Sequence, residues 1–435
     1  MSSADAHPPA PAPAWARTSL ARGSTFLACW LCWLGLASCT DRGGRLRAEL
    51  PDQILLEPDG AAAITEATDS VALRATDMYE VGGLRRFLFG RRYREAWAAP
   101  VTVPVAWLDE YRGGLRLDDR GGGFQTLSVD VIGPDETVYT LRSVAKNPTR
   151  LIKPWMRFTG LDNLVIDGIS AGHPYGAMVM PALSEAAGVA HFAPELVFVP
   201  KQPALDTLNE QFGDHLFWLE YEPEDDVPAQ VAAIAGLDTN AYDIEDFDDS
   251  EKVLEKWRGD PEGHRPDLRA LARARVFDLW LGDWDRHDGQ WGWIQYEDGE
   301  VHRYHPVPND RDNVFYGLDG VSAAVVRAFE KRVQKFGPRI KNVKGLTSNS
   351  AYFDYSFLYD LPEEVFVEEA RDLQVALTDE VIEAAIRQWP PAVFAADGER
   401  IIAHLKERRG DLVRYAREFH RVIRERGVVE DREEA

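Results

Sequence analysis

The chain has 435 residues, 45% of them hydrophobic, enough for two or three lobes around a real core. Its formal net charge is −23, and only 10 of its 49 basic residues are Lys. That balance argues against a nucleic-acid binder, which needs a basic face. It suits either life in high salt, where charge repulsion is screened within roughly 3 Å at 1 M, or an ordinary acidic protein of a GC-rich genome.

Arg17 and Arg22 precede the stretch STFLACWLCWLGLASC, whose apolar run is about 14 residues long, short for a bilayer span. All three cysteines, Cys29, Cys32 and Cys39, fall here, which leaves the body without a disulfide network or a Cys-rich metal site. The ending Leu36-Ala37-Ser38-Cys39 resembles a bacterial lipobox. That resemblance implies that residues 1–38 are a lipoprotein signal peptide, cleaved before Cys39, whose sulfur then carries lipid and ties the chain to a membrane. Thr40 stands where an Asp resembles an inner-membrane retention signal, so an outer-membrane location in the cell envelope is expected. A plain secretory signal peptide is the alternative. No other segment is apolar enough to span a membrane.

Residues 39–77 are polar, with little periodicity, and read as a tether. Residues 78–97, MYEVGGLRRFLFGRRYREAW, mix apolar residues with Arg at helical spacing. They read as a surface helix of the first lobe, or as a basic amphipathic helix touching lipid headgroups. From Gly121 the texture changes. A Gly121-Gly122-Gly123 turn leads into two alternating strands separated by Gly133-Pro134-Asp135-Glu136, and LDNLVIDGISAG then reads as a short helix. ELVFVP at 195–200 and DHLFWLEYEP at 214–223 read as further strands. Residues 78–223 therefore form a first lobe with a small antiparallel sheet and one helix.

An acidic, breaker-rich link follows, and residues 224–430 are mostly helical in pattern. RPDLRALARARVFDLWLG is an amphipathic helix that runs into LGDWDRHDGQWGW, and QWGWIQYEDGEVHRYHPV is a hairpin around Asp298-Gly299. Trp291 and Trp293 alternate on its first strand and read as core, and His173 and Tyr175 in HPYG read as turn residues. Helices are expected near 320–335, 362–374, 378–389 and 397–427. The hairpin brings its two ends together, so Asp285 and Gln290 on one side meet Asp310 and Asp312 of VPNDRDNVF on the other.

Phosphoryl transfer needs such a set: an Asp to orient the attacking hydroxyl, oxygen ligands for magnesium, a Gly-rich turn and a basic side chain for the phosphates. The segment DWDRHDGQW … PNDRDNVF resembles the active site of the atypical protein-kinase-like superfamily, which includes phosphatidylinositol kinases, HipA toxin kinases, spore-coat CotH kinases and animal secretory-pathway kinases. The strings GRRYREAWAAPVTVP, RGGGFQT, LRSVAKNPT, HPYGAMVMP and LGDWDRHDGQW are similar to a kinase-like region of bacterial surface-antigen proteins, which also carry a metallophosphoesterase and an outer-membrane barrel.

The resemblance implies a bilobal α+β fold with a small antiparallel-sheet N-lobe and a mostly helical C-lobe. It puts Asp285 in the catalytic position, with Arg286 beside it and His287 as the residue that stabilises the loop. Gln290 and Asp312, or Asp310, become ligands of Mg or Mn. Gly121, Gly122 and Gly123 approach the phosphates of ATP, Arg142 or Lys146 steadies them, and Asp167 is the helix acid paired with that cation. Glu220, Tyr221 and Glu222 form the hinge that meets adenine. The implied partners are a nucleotide, a hydroxyl acceptor and an outer-membrane barrel or other envelope protein.

Two departures stand out: Gln290 replaces the usual Asn or Glu, a weaker ligand than a carboxylate, and there is no D-F-G string. The expected activity is transfer of phosphate from ATP to a hydroxyl. The rivals are a nucleotide-binding pseudokinase that scaffolds envelope assembly, and a metal-dependent phosphoesterase using Asp283, Asp285, His287, Asp288, His302, His305, Asp310 and Asp312.

Overall fold

A computed structural model describes residues 64–118, 127–146, 161–223, 237 and 242–433. Cys39 and the Gly121–Gly123 turn lie outside them. The fold is α+β, with small antiparallel sheets and a mostly helical C-terminal region.

Strand β1 (Ser70–Arg74) pairs antiparallel with β2 (Pro100–Pro104), and the short helices α1 (Gly83–Phe89) and α2 (Arg94–Trp97) lie between them in the chain. The expected tether thus ends too late: Leu73 of β1 is fully buried. Its pairing partner follows two helices later, and at five residues the alternation of Val71 and Leu73 is too short to mark a strand by itself. A lipid-facing basic helix is not what residues 78–97 form either. Arg85, Arg92 and Arg94 are all buried, and the latter two turn inward to Asp167 of α3 (Leu161–Gly168).

Arg94 grips both oxygens of Asp167 at 2.7 and 2.8 Å, and Arg92 reaches one at 2.8 Å. Burial pushes the Asp167 carboxyl up, and the Arg92 and Arg94 guanidiniums outweigh that and hold it below its ordinary range. Asp167 is therefore not the partner of Arg142 or Lys146. The face of this helix turned to the cleft carries Val165, Gly168 and the following Ile169, and residue 167 lies about 200° around the helix from 165. Asp167→Ala leaves two buried guanidiniums without their carboxylate and should cost about 3–5 kcal/mol. Chemical denaturation reads this, and a loss below about 1 kcal/mol would contradict the assignment.

The main sheet is built from β3 (Arg116–Leu117), β4 (Ser128–Ile132), β5 (Val138–Ser143), β6 (Glu195–Val199) and β7 (His215–Tyr221). Its order is β3-β4-β5-β7-β6, all antiparallel. Between β5 and β6 the chain passes through α3 and α4 (Met180–Ala187), and it returns along β7 between them. Alternation sorts the side chains. Val129, Val131, Leu141, Val197, Phe217 and Leu219 close a core on one face. Leu196, Phe198, Leu216 and Trp218 join the large core shared with the helical region. Arg142 stands opposite Trp218 and Thr140 opposite Glu220. Arg142, Trp218 and Glu220 consequently share the face that looks toward the helices.

Beyond residue 241 the order is β8 (Asp243–Asp249), α5 (Ser250–Gly259), β9 (His264–Pro266), α6 (Leu268–Leu281), β10 (Trp291–Asp298) and β11 (Val301–Pro308). The strands make a second sheet of order β8-β10-β11-β9. The acidic DIEDFDD run, expected as part of a link, is its edge strand. Ile244 and Phe247 pack inward, and buried Asp248 binds Lys252 and Lys256, each at 2.6 Å.

Helix α6 starts where the Asp267 side chain accepts from the Ala270 amide at 2.9 Å, and stops at Gly282 in the left-handed region (φ +72°). A Cβ there would sit 3.0 Å from Phe336 and 3.2 Å from Arg408, so only glycine releases the chain into the next loop. Helices α7 (Ser322–Phe329), α8 (Ala351–Leu358), α9 (Glu363–Ala376), α10 (Asp379–Ile386), α11 (Glu399–Gly410) and α12 (Leu412–Glu433) complete the region. Among the described residues no helix is long and apolar enough to cross a membrane.

Candidate functional site

The β10–β11 hairpin pairs Trp291 with Pro308, so the loops at its open end lie side by side. The Asn309 amide donates to the Gln290 carbonyl at 3.0 Å. Arg286, fully buried beneath both loops, donates to the carbonyls of Asn309 (2.6 Å), Asp310 (3.2 Å) and Gln290 (2.9 Å), and its guanidinium lies 4.9 Å over the Trp291 ring. It clamps the two loops together and lines neither cavity described below. Arg286, expected beside Asp285 in the catalytic set, is thus turned away from both cavities and holds the loops in place.

Below it, fully buried Asp278 receives Arg311 at 2.7 Å, Arg275 at 2.8 Å and Arg286 at 3.4 Å. Asp283 turns in against the end of α6, where burial raises its carboxyl to about 7 against the pull of Arg286. One of its oxygens accepts the Asp285 amide at 3.2 Å.

Asp285 faces a cavity of about 320 Å³ between the sheet and the helical region. One of its oxygens accepts from Asn349 at 2.6 Å; the other has only a long contact, 3.4 Å, from Asn313. Asn313 also donates to Asp312 at 2.5 Å, and Lys146 bonds the other Asp312 oxygen. Arg142 pairs with Asp310 at 3.2 Å and Glu220 at 3.4 Å.

A second cavity, about 170 Å³, lies on the other side of Arg142 and Glu220, and both residues line both cavities. Its walls include Phe192, Tyr221, Glu222, Gln290, Asn309 and Asp310. Burial raises Glu220 to about 8 in spite of Arg142. Burial also pushes on both site aspartates. Arg142 and Lys146 overcome it at Asp310, which is lowered; at Asp312 the Asp310 charge adds to it, and that carboxyl is raised. Asp310 holds a left-handed backbone, φ +43°, uncommon outside glycine.

Three acceptor oxygens around the smaller cavity are buried without a hydrogen bond: Gln290 Oε1, Asn309 Oδ1 and Asp310 Oδ1. Buried acceptors are ordinarily satisfied. Bare oxygens from two amides and a carboxylate make a hard-oxygen set of the kind magnesium or manganese takes, so these residues fit the implied metal.

The structure thus gathers Asp285, Asp312, Lys146, Arg142 and Glu220 around one cavity, and Gln290, Asp310, Tyr221 and Glu222 around its neighbour. His287 lines neither: its side chain is 41% exposed, and its Nδ1 accepts the Gly289 amide at 3.1 Å, shaping the turn. The large hydrolase set is not assembled. Among the described residues, the three-ligand group within 4.8 Å is Glu245, Glu297 and His302, by the closed end of the hairpin. His305 stands instead near Asp267, at 3.9 Å. Sequence reasoning missed Asn313, Asn349 and Asn309. Asn313 directly follows Asp312 and was within reach; Asn349 lies 64 residues beyond Asp285 and carries no local signal.

No protein-family model matches the chain, and no curated protein matches it in sequence. Among solved structures, it is similar to a Helicobacter pylori proinflammatory kinase, CtkA, with a TM-score of 0.38 and 12% identity over 71% of this chain and 96% of that one.

Proposed function

We propose that this chain transfers the terminal phosphate of ATP to a hydroxyl acceptor with Mg or Mn. The observation that carries the reading is the meeting of Asp285 with the Asp310–Asp312 loop, opposite Arg142 and Lys146, in a cleft between an antiparallel sheet and a helical region. Phosphoryl transfer is achieved mostly by positioning and charge stabilisation, and this cleft supplies groups for both.

The smaller cavity takes the adenine end against Tyr221 and Glu222. Arg142 and Lys146 exchange their carboxylates for phosphate oxygens, Arg142 in two-pronged fashion. Gln290, Asn309 and Asp310 would hold the metal, with Asp312 beside them once Lys146 has turned to phosphate. When bound, the metal neutralises charge on the terminal phosphate oxygens. The acceptor hydroxyl oxygen attacks the γ-phosphorus as the bond to the β–γ bridging oxygen breaks. ADP leaves with that electron pair, and the hydroxyl proton passes to the Asp285 oxygen that is held only weakly, by Asn313 at 3.4 Å. Asn349 fixes the other oxygen at 2.6 Å.

Calorimetry with ATP and Mg²⁺ tests the reading. Wild type should bind nucleotide in a metal-dependent way, and Asp310→Asn should remove the metal dependence, with Asp312→Asn weakening it less. Unchanged affinity in both variants would remove this loop from the site. The neutral amide of Gln290 favours one second reading, a pseudokinase that binds nucleotide without turnover.

Location is part of the proposal: the chain is an exported lipoprotein of the outer membrane, anchored through Cys39 near a barrel or other envelope protein. Its support is the lipobox-like Leu36-Ala37-Ser38-Cys39. Cys39→Ser should move the protein from carbonate-washed membranes to the soluble envelope fraction, and a variant as membrane-bound as wild type would contradict the anchor.

A further inference from the structure

We propose that the larger cavity is the acceptor site and that the acceptor is a small, neutral, ring-shaped polyol of the sugar type. This rests on the phosphotransfer reading and adds the substrate class. Three kinds of wall meet around Asp285. Four large rings line the cavity: Trp97, Trp218, Trp284 and Tyr316. Trp284 directly precedes Asp285; it packs edge-on against Tyr316 at 5.8 Å and carries the Arg332 guanidinium over its ring at 5.1 Å.

Two buried N–H donors in the lining have no partner, Trp284 Nε1 and His173 Nε2. The His173 assignment follows from its other nitrogen. Nδ1 accepts the Tyr175 amide at 3.1 Å, so the ring proton sits on Nε2. The side chain is 3% exposed and stacks on Trp389 at 4.3 Å, which fixes its direction. Acceptors complete the lining: Asp285, Asp312 and Glu330.

A sugar ring presents these complements in one molecule: C–H faces that pack on aromatic faces, and a rim of hydroxyls that both donate and accept. Charge argues for a neutral compound. Arg332 is met by Glu330 at 3.2 Å and Asn349 at 2.6 Å, Lys146 by Asp312, and Arg142 by Glu220 and Asp310. Once the nucleotide has claimed Arg142 and Lys146, the described lining leaves no cation free for an anionic acceptor. Size argues for a small one. At about 320 Å³ the cavity stands near the lower end of ligand pockets, about 300–1,000 Å³, and it is walled both by α3 and the turn after it and by residues 330–333.

The test uses the full chain. ADP release is measured with saturating Mg-ATP against a panel of neutral hexoses, pentoses and cyclic polyols, and against peptides bearing Ser, Thr or Tyr. Tryptophan fluorescence is titrated with the same sugars without nucleotide. At least one sugar should raise ADP release more than tenfold, in a saturable way, and quench the fluorescence. Trp284→Ala should raise KM for that sugar at least tenfold with KM for ATP unchanged, whereas Trp284→Phe, which keeps a ring but loses the Nε1 donor and guards against misfolding of the smaller variant, should fall between it and wild type. Peptide turnover with no response to any sugar overturns the proposal while phosphotransfer stands. Sugar quenching without nucleotide binding keeps the polyol site and removes the phosphotransfer reading. Neither sugar response nor nucleotide binding removes both.

Discussion

Asp285→Asn should slow phosphate transfer by about 10²–10⁴-fold, the range typical of a lost general base, while nucleotide affinity stays near wild type. The two oxygens of Asp285 are unequal: one is held by Asn349 at 2.6 Å and the other has only a 3.4 Å contact from Asn313. The second oxygen is the one able to take the acceptor proton, and the Asn variant can present an amide there but cannot accept that proton. Neither oxygen is bonded to Arg142 or Lys146, the cations proposed to steady the phosphates, so donor binding should be spared. Asp283→Asn should do far less to transfer, because Asp283 is buried against α6 and reaches Asp285 only through a backbone amide. A phosphate-transfer assay on both variants, beside a nucleotide titration, reads the difference. Full activity in Asp285→Asn would sink the mechanism.

An effect on folding as large as that at Asp167 is expected at Asp278. Its carboxylate answers Arg275, Arg286 and Arg311 with no exposure of its own. Burial would push it up, but Arg311, Arg286 and Arg275 together hold it down, so it stays ionised. Arg275 keeps Asp354 as a second partner at 2.8 Å; Arg286 and Arg311 lose their closest carboxylate. Breaking such a buried set costs about 3–5 kcal/mol, a large share of the roughly 5–15 kcal/mol that holds a domain folded. Asp278→Ala should therefore yield protein that unfolds at much lower denaturant or does not fold. Asp278→Asn, with shape kept and charge removed, should fall between it and wild type. Stability within about 1 kcal/mol of wild type in both variants would show that the arginines find other partners.

What could be read from the chain follows from the distance over which each signal acts. The hairpin and the two acidic loops were legible because Asp298-Gly299 marks the turn and the flanking strands alternate; once paired, the hairpin must bring Gln290 beside Asn309. The main strands were legible for the same reason. The role of Asp167 was not. An acid on a short helix looks the same in sequence whichever face it takes, and its partners Arg92 and Arg94 come from a segment more than 70 residues earlier. Strand β8 was hidden by its charge, since an edge strand exposes one side and needs only Ile244 and Phe247 to pack. Asn349, which orients Asp285, comes from a polar loop before α8, where nothing in the local pattern distinguishes it from any other loop residue. Arg286 was visible as part of the motif, but its burial beneath the loops depends on Trp291 and the hairpin register.

Crystals grown with a non-hydrolysable ATP analogue and Mn²⁺, with the anomalous signal of manganese used to locate the ion, would show whether nucleotide and metal meet at this cleft. Manganese is expected within ligand distance of Gln290 Oε1 and an oxygen of Asp310 or Asp312, with adenine beside Tyr221 and Glu222 and the terminal phosphate facing Asp285. Manganese at Glu245, Glu297 and His302 instead, with no nucleotide between the sheet and the hairpin, would contradict it.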